Sequence, residues 1–172
     1  MIAQTFAIDF PTKTLTLTSI MSTTGNPAAG QATADALGAL IGPAPTSREE
    51  AIENGVWVSK VICSPGYAID EARIREKVTS GYDRAFHPAG MLRQFGAIAT
   101  QPDRTTALGS LRVPTLVIHG ADDPLIELSG GQATADAVPG AELKIFPGMG
   151  HDLPPALHSQ IVDLLAKTFA RA

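Results

Sequence analysis

The chain has 172 residues, 44% of them hydrophobic, which is enough for one domain with a sizeable core and too apolar for a disordered segment. Its formal net charge is −4 and it has no basic cluster, which argues against nucleic acid as a partner; no apolar run is long enough to span a bilayer. The single cysteine, Cys63, excludes an internal disulfide framework and fits a reducing, cytoplasmic compartment, and the start Met1-Ile-Ala-Gln-Thr-Phe lacks the basic region of a secretory signal.

Ile2, Phe6 and Phe10 recur at helical spacing, so residues 1–10 are expected to form a helix, closed by Pro11. This helix has neither an N-cap nor a leading loop. Leu15 to Ile20 is β-branched and apolar and reads as a strand, followed by the turn residues Thr24-Gly-Asn-Pro27. From Ala28 to Ser110 the pattern is helical only. The first helix, Ala32 to Ile41, stops at Gly42-Pro43. A second opens at Ser47, with Glu50 completing a capping box and Ile52, Val56 and Cys63 facing inward. Asp70 caps a third, aligning Ile74, Val78, Tyr82 and Ala85. Pro88 starts a fourth, with Met91, Leu92, Phe95, Ile98 and Ala99 on one stripe.

A short turn over Asp103–Leu111 leads into a strand at Thr115–His119. A helix near Gly131–Val138 ends at Pro139-Gly140, and the strand Leu143–Phe146 follows. The final helix places Leu157, Ile161, Leu164, Leu165 and Phe169 on one face. Apolar strands alternating with helices predict an α/β fold, a parallel sheet of about three strands with flanking helices. Residues 1–27 and 111–172 would form this core, and residues 28–110 an inserted helical cap.

Two segments carry chemistry. Val113-Pro-Thr-Leu-Val-Ile-His-Gly-Ala-Asp-Asp-Pro124 runs from a buried strand into a turn that presents Asp123. Phe146-Pro-Gly-Met-Gly-His-Asp-Leu153 does the same for His151, and Gly148 and Gly150 let its loop approach a neighbouring turn closely. An acid and then a histidine, each at the C-terminal end of a strand, are the last two members of a Ser…Asp…His order. Taken singly, each is as readily explained as a turn residue; the pairing is what points to catalysis. No Gly-x-Ser-x-Gly turn precedes them: Ser19, Ser22 and Ser64 lie in other contexts and read as structural. Cys63 reads as a packed apolar residue, His119 as a structural residue bonding loop backbone, and His87 and His158 as surface residues. No metal-ligand spacing or phosphate-cradling loop is present, so no metal and no cofactor are expected.

These segments, together with Met1-Ile-Ala-Gln-Thr-Phe-Ala at the start, resemble the C-terminal part of an α/β-hydrolase with a helical cap, closest to the carboxylesterase and aclacinomycin-methylesterase-like branch. The resemblance implies that the first helix follows the nucleophile elbow and that the strands are the last three of that fold. The elbow, the oxyanion-hole loop and the earlier strands would then precede Met1, as in a gene begun at an internal methionine. It implies a carboxylic ester hydrolase with Asp123, rather than Asp122, as triad acid and His151 as base, the serine lying outside this chain. A small hydrophobic ester is the implied substrate, with Trp57, Tyr82, Met91 and Phe95 as candidate pocket residues.

Two other readings remain open. Epoxide hydrolases and haloalkane dehalogenases share the fold and carry an aspartate in the elbow, although Tyr67 and Tyr82 are the only tyrosines available for epoxide opening. Alternatively, this is a short non-catalytic protein that binds a partner by strand addition. An unpaired strand edge and an apolar first helix would favour self-association, and no ester turnover is expected from these residues alone.

Overall fold

The computed structural model describes residues Met1–Ala172. The first helix, α1 (Ile2–Asp9), ends where Phe10 leads into a 3-10 turn at Pro11–Lys13. Strand β1 (Leu17–Ile20) follows. It starts later than the apolar pattern suggests, because the turn and the Thr14 hydroxyl, which donates to Phe10 O at 3.0 Å, hold the preceding residues and leave Leu15 exposed. Four helices come next: α2 (Ala34–Leu40), α3 (Arg48–Ile62), α4 (Glu71–Ala85) and α5 (Pro88–Ala99). A short helix α6 (Thr105–Leu108) lies within the segment expected to be only a turn. Then come β2 (Thr115–Gly120), α7 (Leu128–Ala137), β3 (Glu142–Phe146) and α8 (His158–Phe169).

The strands form one parallel sheet in the order β1-β2-β3, with Leu17 opposite Thr115 and Leu116 opposite Glu142. Central β2 is buried at every residue; β3, at an edge, buries fully only Phe146. Side chains alternate across the sheet. On one face Leu116, Ile118 and Phe146 pack with Met149, Leu157 and Ile161, beneath α8. On the other, Leu17 packs with Ala7, Leu108, Leu111 and Val138 from α1, α6 and the α7 end. The core is therefore a helix–sheet–helix sandwich with β2 in the middle. Phe169, read from the sequence as facing this core, is 55% exposed, because Thr168 takes the buried position at that end of α8.

The caps expected from sequence form. Ser47 Oγ accepts the Glu50 N–H at 3.1 Å, and Asp70 Oδ1 accepts the Arg73 N–H at 3.0 Å. The Glu50 carboxylate accepts from both the N–H and the hydroxyl of Thr46, each at 2.7 Å. Helices α3 and α4 run antiparallel: Arg48, at the start of α3, pairs with Asp83, late in α4, and Lys60, late in α3, pairs with Glu71, at the start of α4. These pairs are exposed and contribute little stability. Ile52 and Val56 of α3 are buried as expected, but Cys63 is its C-cap, and the thiol donates to Lys60 O at 3.2 Å. Helices α4 and α5 bury no residue fully, so the stripe Met91, Leu92, Phe95 and Ile98 is largely exposed. No helix is long and apolar enough to cross a membrane.

Candidate functional site

Adjacent parallel strands bring their following loops together at the same end of a sheet. The turn after β2 carries Asp122 and Asp123, and the loop after β3 carries His151. Gly120 ends β2 against the second loop: a Cβ there would lie 2.1 Å from Met149 O. The two loops are then joined by backbone bonds, Ala121 N–H to Phe146 O and Asp122 N–H to Met149 O, both at 3.0 Å.

Within this frame Asp123 Oδ2 lies 2.8 Å from His151 Nδ1. The Asp123 side chain is fully buried and that of His151 is 24% exposed. Asp123 Oδ1 accepts the N–H groups of Leu125 and Ile126, each at 2.9 Å. The carboxylate is thus held from one side by its own turn and presents its other oxygen to the imidazole. An acceptor at Nδ1 requires the proton there, so the Nε2 lone pair of neutral His151 is free for a substrate-side proton. Asp122 takes a different part: its Oδ2 accepts the Gly148 N–H at 2.7 Å.

His119 is buried, and its Nε2 donates to Ile126 O at 2.7 Å. It braces the loop after Asp123 and stands 3.7 Å from the Asp123 carboxylate, beyond hydrogen-bond reach. His87 caps α5 without a side-chain bond to the helix backbone, its Nε2 accepting from Arg93 Nη2 at 3.0 Å, and His158 lies at the exposed start of α8. No serine hydroxyl of the chain bonds His151. Ser19 accepts from Gln4 Nε2 at 3.2 Å, and Ser64 bonds Gly150 and Asp152.

His151 lines a cavity of about 740 Å³. Its floor is the end of β1 and the following segment, Ser19 to Gln31. Leu37 and Leu40 of α2, Phe95 and Ile98 of α5, and Ile126 supply apolar walls. Of the four pocket candidates named from sequence, Phe95 lines this space; Trp57, Tyr82 and Met91 do not. Trp57 is exposed on α3, Tyr82 stacks on Phe86 with ring centroids 4.4 Å apart, and Met91 faces outward. Helical spacing marks a stripe as apolar without saying what it faces.

Sequence reading missed two features, one lining this cavity and one beneath it. Met21 adopts a left-handed conformation (φ 47°) just after β1, uncommon for a residue with a side chain. Arg104 is buried without a carboxylate partner, and burial pushes its pKa down. Its guanidinium donates to Gln4 Oε1 at 3.1 Å, Pro102 O at 3.1 Å and Thr23 O at 3.0 Å, tying α1 to the cavity floor. An arginine at the edge of a predicted turn gave no signal of this.

Comparison with known proteins agrees with this architecture. A family model described as Serine aminopeptidase, S33 (Hydrolase_4) matches residues 78–155. A bifunctional esterase/perhydrolase of Acinetobacter calcoaceticus is 30% identical over 105 residues, 59% of this chain and 38% of its own length. A rhodomycin D methylesterase of Streptomyces peucetius is 27% identical over 183 residues, 93% of this chain and 60% of its own. The chain thus spans less than two thirds of these relatives. Among solved structures, a meta-cleavage product hydrolase from Pseudomonas fluorescens superposes with a TM-score of 0.69 at 19% identity, covering 98% of this chain and 60% of that one. A hydrolase from Pseudomonas aeruginosa gives 0.66 at 20%, covering 99% and 61%.

Proposed function

We propose, from the premise that the chain belongs to the α/β-hydrolase superfamily, that it supplies the acid and the base of a carboxylic ester hydrolase of the Ser-Asp-His type. The observation that carries the reading is the Asp123–His151 pair, in the loops after neighbouring parallel strands, with His151 opening onto the cavity. Asp123 holds the Nδ1–H tautomer and stabilises the imidazolium that forms. His151 Nε2 takes the proton of a serine hydroxyl as it attacks the ester carbonyl, then returns it to the departing alcohol. The serine is not among these residues, since none sits in a Gly-x-Ser-x-Gly turn.

Helices α2 to α5 act as a helical cap over the sheet and its flanking helices, while α6, inside the stretch 28–110 expected to be cap, packs Leu108 against Leu17 in the core. The apolar walls from α2 and α5 suit a small hydrophobic ester, with Phe95 and Ile98 against its apolar part. That these relatives are named as esterases supports an ester as the substrate.

The test is the reading frame immediately upstream of the Met1 codon. A Gly-x-Ser-x-Gly turn encoded there supports the proposal, and the joined polypeptide should hydrolyse a short nitrophenyl ester in a His151-dependent way. An aspartate at the central position would move the protein to alkyl-enzyme chemistry and overturn the serine mechanism. Robust hydrolysis by the 172 residues alone, abolished by His151→Ala, would overturn the assignment of the nucleophile to other polypeptide.

A further inference from the structure

We infer that Ser64, in the helical segment between β1 and β2, is a positioning residue for His151. This rests on His151 being the base, as proposed above. The loop carrying His151 is held from two sides. The turn after β2 holds one side through Asp122 and Asp123. The other is held by residues 62–67, where α3 ends.

The second set of contacts is continuous. His151 N–H donates to Ile62 O at 2.8 Å, and Gly66 N–H donates to Gly148 O at 2.9 Å. Tyr67 Oη donates to Pro147 O at 3.2 Å. Gly66 and Gly148 cross so closely that a Cβ on Gly66 would lie 2.6 Å from the Gly148 Cα, and Gly148 has φ 74°. A Cβ on Gly150 would lie 2.4 Å from Cys63 O. No side chain fits between these backbones at either crossing.

Ser64 is the side chain that straddles His151. It is 3% exposed. Its Oγ accepts the Gly150 N–H at 2.9 Å and donates its proton to the Asp152 carboxylate. The residues immediately before and after the imidazole are thus pinned to one hydroxyl, while the backbone of His151 is pinned to Ile62. A hydroxyl can donate and accept at once through a single atom. Replacing it by a methyl group leaves the buried Gly150 N–H without a partner and frees Asp152. The base would then be held through Asp123 and its backbone bond to Ile62, with the residues on either side of it released. Through Ser64, the helical segment that walls the cavity with Leu37 and Phe95 also sets the position of the base.

The test is nuclear magnetic resonance on the 172-residue chain, with histidine ring nitrogens labelled. In the wild type the His151 Nδ1–H should give a signal protected from solvent exchange by Asp123. Ser64→Ala should broaden or abolish that signal and shift the midpoint of His151 titration, while Ser64→Thr, which keeps the hydroxyl, should restore both. In an ester-hydrolysing form, Ser64→Ala should lower kcat, by up to about a hundredfold for a displacement near 1 Å, with KM little changed. An unaltered His151 signal and titration in a cooperatively folded Ser64→Ala chain would overturn the inference. If Ser64→Ala does not fold, Asp152→Ala removes one of the two links made by the hydroxyl and should weaken the His151 Nδ1–H signal in the same direction; an unaltered signal in that variant would overturn the inference. A wild-type chain with no protected Nδ1–H overturns the Asp123–His151 reading itself, and this inference with it.

Discussion

Asp123 and His151 meet at 2.8 Å although 28 residues separate them, and the carboxylate that makes the contact also closes its own turn through Leu125 and Ile126. Turn geometry and imidazole orientation therefore depend on one side chain. Asp123→Asn keeps the shape and can still accept the two backbone N–H groups, but an amide NH2 turned toward His151 favours the opposite tautomer. In an active polypeptide the expected loss in kcat is about 10⁴-fold. Steady-state kinetics on a nitrophenyl ester checks it; near wild-type kcat would remove Asp123 from the mechanism.

Gly120→Ala should destabilise the fold and disturb the site together. The added methyl group meets the Met149 carbonyl at 2.1 Å, and that carbonyl belongs to the loop that positions His151. Overpacking of this kind costs about 1–3 kcal/mol. Urea unfolding should show a lower midpoint with a similar slope; an unchanged midpoint would mean that the two loops are not held this close.

Burial pushes the Cys63 thiol up from its ordinary pKa, and the nearby Asp152 carboxylate adds to the rise. A raised pKa means less thiolate at a given pH, and thiolate is the form that alkylates. Iodoacetamide should therefore modify native Cys63 more slowly than a free thiol near neutrality. The rate should go on climbing past about pH 8.5, where an ordinary cysteine is half ionised. Denaturant should abolish the difference. Mass spectrometry over a pH series checks this, and a native rate matching the denatured one contradicts it.

In these 172 residues β1 is an edge strand, and beside it Ile2 (88% exposed), Phe6, Phe10 and Leu15 present apolar surface to solvent. An open edge with an adjoining apolar face favours association. Light scattering on the isolated chain should report a mass above 17.9 kDa, rising with concentration. A monomer with a cooperative melt would show that this edge is protected in solution.

Much of this molecule is written locally. Periods of two and of about 3.6 residues located the helices and strands to within a few residues, because burial of one face imposes that spacing wherever the chain lies against a core. Ser47 and Asp70 could be read as caps because a cap bonds an N–H only a few residues on. Asp123 and His151 stood out because each lies in the turn that follows a strand. What the apolar stripes face was not legible: Phe95 reaches the cavity, whereas Trp57, Tyr82 and Met91 with the same local signature do not. Nor could any local pattern announce that Arg104 bonds Gln4 or that Ser64 pins Gly150, since these partners are 100 and 86 residues apart. Such contacts exist only once the parallel sheet has set its register and the helical segment has come to rest on the loop after β3. Hydrogen-bond reach is about 3 Å, and only a folded backbone can bring residues so distant in sequence within it.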